Sequence, residues 1–149
     1  MLTRLLKLCY KEICSTIKRN KLLSYNKDIT PEDITPEEIS ESYRMYVLVR
    51  RDILPLVHAG VQAAHAAADF VFYHMNENTK VWVQCEKTMV VLEATEEQIN
   101  AKMKIFEVHK LNYQPFWEPD MSNSLTAVAF QPMKTKDAQI FFGDLKLLN

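Results

Sequence analysis

The sequence predicts an α/β fold. It reads as three layers, α/β/α, around a four-stranded mixed sheet in the order β-α-β-α-β-β-α, preceded by a helical N-terminal extension. Three observations carry this reading. Met45–Val49 and Thr88–Leu92 are continuous apolar runs of strand length, as expected of strands covered on both faces. Each is followed by a stretch with helical spacing, and strands alternating with helices place helices on the faces of a sheet. The chain has 149 residues, which is one domain by length and enough for a core of its own.

The elements follow in order. Leu2, Leu5, Leu6, Cys9, Ile13 and Ile17 fall at helical spacing, with Arg4, Lys7, Lys11 and Lys18 on other faces. This is a basic amphipathic helix, either docked on the protein's own surface or offered to a protein partner, a membrane surface or RNA. A near-repeat follows, Asp28-Ile29-Thr30-Pro31-Glu32 and Asp33-Ile34-Thr35-Pro36-Glu37. In it Thr35, Pro36 and Glu38 have the pattern of a capping box opening a short acidic helix or linker. The extension is assigned to residues 1–44 and the domain to residues 45–149. Within the domain, a strand over Met45–Val49 is closed by Arg50-Arg51-Asp52, and Pro55 starts a helix that runs to about Met75. Residues 76–86 read as a polar loop holding Trp82. A strand over Thr88–Leu92 precedes a helix from Glu96 to about Leu111, capped by Thr95. Gln114–Trp117 and Leu125–Phe130 are two further strands, and Lys134–Phe142 is a last short helix or turn.

Composition excludes several classes. Only Gly60 and Gly143 are glycines, so no Gly-rich phosphate loop or dinucleotide-binding turn exists. Cys9, Cys14 and Cys85 are an odd number in no metal-ligand pattern, which fits free thiols and a reducing compartment. A cytoplasmic location is expected, with a basic transit segment as the lesser alternative. No apolar run approaches the roughly 20 residues of a membrane span. Net charge is −1, but it is unevenly spread: residues 1–27 hold seven basic side chains against one acid, and residues 28–43 hold six acids and no base. From residue 45 onward ten basic side chains face twelve acids, too few and too scattered for a phosphate-gripping surface, so tRNA binding would draw its positive charge from the N-terminal segment.

The helix from Pro55 carries the chemistry. His58, Gln62, His65 and Asp69 are spaced four, three and four apart and lie within about 60° of one another on a helix, a single polar stripe edged by alanines. Small neighbours let such a helix approach a sheet closely and leave a cleft beside the stripe. The plain alternative for each histidine is a structural hydrogen bond. His65 and Asp69 are four apart, but no third ligand stands at a clear spacing, so neither a metal nor a cofactor is assigned.

Four segments, in this order, resemble the type 2 peptidyl-tRNA hydrolases, the archaeal and eukaryotic kind. Val47–Asp52 resembles the family's first strand with its Arg-x-Asp ending, and Gly60–Ala67 resembles its Gln-Cys-Ala-His-Ala-Ala helix. Leu125–Pro132 is similar to its last strand and following proline, and Gly143–Leu148 to its closing Gly-Asp-Leu-Lys-Leu-Leu. The resemblance implies hydrolysis of the ester between a peptide and the 3′ ribose of tRNA, by attack of water and without a metal. The family supplies a lysine four residues before the helix glutamine, and an aspartate with nearby hydroxyls on the loop before the last strand. Here His58 stands at the lysine position, and that loop is the short Pro119–Ser124. The shortening resembles the divergent branch described as peptidyl-tRNA hydrolase domain-containing proteins. The resemblance assigns His58 and Asp120 as catalytic residues, and Gln62, His65, Arg50, Ser122 and Ser124 as substrate-binding residues. The other reading is a catalytically inactive member of the fold that binds a nucleotide, tRNA or a protein. A homodimer is left open.

Overall fold

A computed structural model describes residues 43–84 and 87–149. The expected amphipathic helix over the first 18 residues, the acidic segment and all three cysteines lie outside these. Tyr43–Asn149 forms one compact unit. Its elements are β1 (Tyr43–Arg50), α1 (Leu56–Tyr73), α2 (Glu77–Gln84), β2 (Met89–Ala94), α3 (Glu96–Val108), β3 (Tyr113–Glu118), β4 (Ser124–Lys134), α4 (Thr135–Phe142) and β5 (Lys146–Leu147).

The fold class is α/β with a mixed sheet, but the sheet has five strands where four were expected. Its order is β3-β4-β1-β2-β5. The fifth strand comes from the tail: Lys146 and Leu147 pair antiparallel with Glu93 and Leu92 and cover part of the edge of β2. The only parallel pair among these strands is β1 with β2 (Met45 opposite Met89 through Arg50 opposite Ala94), and a helical crossover is what such a pair requires. The other correction is α2, a helix within the expected loop. Asn76 accepts from the backbone N–H and the hydroxyl of Thr79, each at 3.0 Å, in the manner of an N-cap. Trp82 is buried and donates its indole N–H to the carbonyl of Thr88 at 2.7 Å.

Alternation along β1 divides the core in two. Met45, Val47 and Val49 pack with Ala59, Ala63, Ala66, Ala67 and Phe70 of α1. Tyr46 and Leu48 pack on the other side with Ile99 and Phe106 of α3 and Phe142 of α4. Helices therefore cover both faces of the sheet. β4 runs four residues beyond the expected Phe130, through Pro132. Tyr46 lies opposite Phe130 but Arg44 opposite Met133, so the register shifts there and the proline sits in the irregularity, where no ladder hydrogen bond is lost.

Candidate functional site

α1 begins after Pro55, whose fixed φ suits a helix start, and it carries neither an acid in its first turn nor a base in its last. Apart from Gln62 and Phe70 its buried residues are alanines, so its axis lies close to β1, β3 and β4. This closeness lets Gln62, which is buried, reach the strands directly. The amide Nε2 of Gln62 donates to Oε2 of Glu118 at 2.6 Å, and its Oε1 accepts from the hydroxyl of Thr126 at 2.9 Å. The amide orientation follows from its neighbours: a carboxylate needs a donor and a hydroxyl proton needs an acceptor.

Thr126 reaches α1 because β4 is irregular there. Phe116 pairs with Ala127 and Trp117 with Leu125, so Thr126 is the extra residue of a bulge. A bulge re-aims one side chain, and here it turns a fully buried hydroxyl toward the helix. Glu118 closes β3 and also accepts from the backbone N–H of Asp120 at 3.4 Å, capping the short 3-10 turn Pro119–Met121. The result is a chain from carboxylate to amide to hydroxyl, linking β3, α1 and β4.

The expected site residues fall into three groups around this chain. His58 lies one turn before Gln62 and is exposed, with no hydrogen bond among the described residues. Asp120 and Ser122 are exposed on the turn, where Ser122 adopts left-handed φ 56°. These three are available to a ligand. Gln62 and Ser124 are engaged; the Ser124 hydroxyl donates to the carbonyl of Met121 at 2.6 Å. His65 is stacked on Phe116 of β3, with ring centroids 4.9 Å apart and planes 13° from parallel.

Arg50 falls in neither place. It follows Tyr46 and Leu48 in the alternation of β1 and points to the α3 side of the sheet, away from Gln62. It holds Asp52 through two hydrogen bonds at 2.8 and 2.7 Å and Glu96, the first residue of α3, at 2.5 Å. The bidentate bond from Arg50 keeps the Asp52 carboxyl below its ordinary pKa, and Asp52 in turn raises that of Arg50. A guanidinium so engaged fastens β1 to α3.

Sequence reasoning missed Glu118 and Thr126. Their separation from Gln62 is 56 and 64 positions; Glu118 lies outside the four segments of the resemblance, and Thr126 lies in the third of them as an ordinary strand position. The one local signal was a carboxylate ending a strand directly before proline. Among the described residues no three His, Cys, Asp or Glu side chains are grouped to hold a metal ion, and no helix is long and apolar enough to cross a membrane.

The fold and site define a short α/β domain whose first helix presents a polar stripe beside a carboxylate-bearing turn. The family profile described as "Peptidyl-tRNA hydrolase PTH2" matches residues 43–148, and the chain belongs to that family. Among solved structures it is similar to a protein of unknown function from Agrobacterium tumefaciens strain C58, at 12% identity and a TM-score of 0.51, covering 71% of this chain and 97% of that one. That likeness concerns the fold alone. No curated protein matches the chain.

Proposed function

We propose that this protein hydrolyses an ester of the peptidyl-tRNA type by direct attack of water. Family membership supports the substrate class. The observation that carries the chemistry is Glu118, a carboxylate held at 2.6 Å by Gln62, itself locked by Thr126. Ester hydrolysis needs an oriented water and a group for the developing oxyanion. A carboxylate held at Oε2 by Gln62 and at Oε1 by the Asp120 N–H keeps further lone pairs with which to orient water. An imidazole carries both a donor and an acceptor nitrogen, so His58 suits proton transfer or oxyanion contact in the place of the family's lysine. Asp120 and Ser122, exposed on the adjoining turn, would meet the ribose or carbonyl. tRNA is the partner this reading requires.

The second reading, a binding module without turnover, is favoured by the engagement of Arg50, Gln62 and Ser124 with the protein itself. Turnover of purified peptidyl-tRNA by the full chain separates the two. Activity is expected, falling by about 100-fold or more in Glu118→Gln and in His58→Ala, the range typical of a lost acid–base group. Loss in Asp120→Ala with retention in Glu118→Gln would move the carboxylate role to Asp120. A folded chain that binds peptidyl-tRNA but never releases the peptide leaves the binding module.

A further inference from the structure

On the aromatic side of the sheet, Tyr46 carries a hydroxyl that the packing does not use. The residue is only 7% accessible, and its ring lies on that of Phe142, with centroids 5.1 Å apart and planes 14° from parallel. The cluster around it includes Leu48, Leu92, Phe130 and Phe142, all hydrocarbon side chains. Phenylalanine would serve that packing equally well. The hydroxyl has no hydrogen-bond partner among the described residues. A buried hydroxyl left without one destabilises the fold, and buried tyrosines normally find one. Among the described residues only the Nε atoms of Arg44 and Arg51 are sealed off without a partner, so the Tyr46 oxygen keeps an opening.

That opening is a cavity of about 190 Å³. Val90 and Leu92 of β2 line it, with Ala138 and Phe142 of α4 and Leu145 and Leu147 of the tail. The tail is fastened on both sides of Leu145: Lys102 holds Asp144 at 2.6 Å, and Lys146 and Leu147 pair with β2. This wall is therefore fixed in place. Gln139 completes the rim. Its carboxamide has no hydrogen bond among the described residues, and it lies against Gly143, where a Cβ would collide with it. The bare glycine leaves the amide its place beside the cavity.

We propose that this cavity binds a small neutral heterocycle of the nucleobase class, held at its edge by the Tyr46 hydroxyl and the Gln139 carboxamide. Volume sets the size. One water takes roughly 30 Å³ in the liquid, and pockets for drug-sized ligands begin at about 300 Å³. The cavity falls between, at the scale of one flat ring system. The lining sets the charge. No charged side chain faces the cavity, so a phosphate, carboxylate or ammonium would be desolvated there without a counter-charge. The polar groups set the edge. A hydroxyl and a carboxamide each donate and accept, and a carboxamide meets adenine through an adjacent donor and acceptor. Tyr46 lies on the α3 side, across the sheet from Gln62, so this site is independent of the hydrolytic reading.

The test is titration of adenine into the full chain, without RNA, followed by amide chemical shifts. Saturable shifts are expected at Gly143 and Leu145. Tyr46→Phe and Gln139→Leu are each expected to weaken binding roughly 2- to 10-fold, the worth of one hydrogen bond. Benzene, a ring with no polar edge, is expected to bind more weakly than adenine. The free Tyr46→Phe chain should melt no lower than the wild type, since the hydroxyl it loses bonds to no described residue. Affinity lost with stability kept is the mark of a hydroxyl that serves a ligand. Failure to saturate leaves the hydroxyl to water and overturns the site. Adenine affinity untouched in both variants, benzene bound as tightly as adenine, or shifts that fall beside Gln62 instead would do the same. A free Tyr46→Phe chain that melts below the wild type would show that the hydroxyl serves the fold, and overturns its role.

Discussion

The two faces of the sheet are filled by opposite means. Toward α1 the middle of the filling is alanine, with Ala59, Ala63, Ala66 and Ala67 against Val47, Val49, Ala127 and Ala129, and the larger Met45, Phe70 and Trp82 belong to the same cluster. Toward α3 and α4 it is an aromatic pile, in which Phe106 and Phe130 have ring centroids 4.5 Å apart, and Phe142 lies 5.2 Å from Phe130 and 5.7 Å from Phe106. The difference separates stability from chemistry. A large buried aromatic contributes through area and contact, and an alanine layer contributes little of either. What thin packing allows is reach: Gln62 touches two strands because nothing bulky stands between them. The aromatic face has no counterpart to that buried polar chain, and its charged contacts lie at its margins.

The comparison predicts where truncation is most damaging. Phe106→Ala should cost about 3–5 kcal/mol in denaturant-induced unfolding, as a fully buried aromatic on the thick side. A cost below about 1 kcal/mol would mean that the aromatic pile is not the main support of the fold. The thin side should show the reverse sensitivity, to added volume. Ala63→Leu, at a fully buried site, is expected to cost about 1–3 kcal/mol through overpacking. The same change at exposed Ala101 of α3 should stay within about 0.5 kcal/mol. Equal effects at the two sites would show that α1 can move off the sheet without penalty.

Legibility in the sequence follows the same division. β1 announced itself because a strand buried on both faces must be apolar at every position, and Met45–Val49 is. The polar stripe of α1 was legible because helical periodicity is local, and the structure brings Gln62 and His65 to β3. β5 was hidden: two exposed residues, Lys146 and Leu147, become a strand only by pairing with β2. α2 was hidden because its sequence is polar with two buried residues, Thr79 and Trp82; the cap at Asn76 was the available sign. Glu118 and Thr126 were out of reach because their link to Gln62 depends on a bulge, which no local pattern encodes. The resemblance assigns Arg50 to the site, and the alternation of β1 directs its side chain to the α3 side, where it holds Asp52 and Glu96.

The buried chain offers a narrower test of the thin side. Thr126→Val removes the hydroxyl while keeping the shape, and Gln62→Leu removes the amide. Each leaves a buried partner unsatisfied, at about 1–3 kcal/mol. Because the two groups satisfy each other, the double variant should cost less than the sum, with a coupling of roughly 0.5–3 kcal/mol. Strict additivity would show that the two side chains do not act as a unit.

The smallest expected effects concern pH, and they belong to the thick side. There Lys102, a buried base of α3, holds Asp144 at 2.6 Å and keeps its carboxyl below the ordinary value, as Arg50 does for Asp52. A carboxyl whose folded pKa is depressed stabilises the fold above its unfolded pKa of about 3.9. That contribution is lost as pH falls below this value toward the folded one. Tyr113 titrates in the opposite sense. Its hydroxyl donates to Glu107, which pushes its pKa up to about 12. With the folded value raised, the contribution is whole below the unfolded pKa of about 10 and lost as pH rises toward the folded value. Asp144→Asn should therefore flatten the acid limb of stability, and Tyr113→Phe the alkaline limb, each by under about 1 kcal/mol because Asp144 is largely open to solvent and Tyr113 only half-buried. The chain on the α1 side contains a single ionisable group, Glu118, so Thr126→Val should lower stability evenly across neutral pH. A pH-dependent loss in that variant, absent from the two on the opposite face, would place the protein's titrating contacts beside the candidate site.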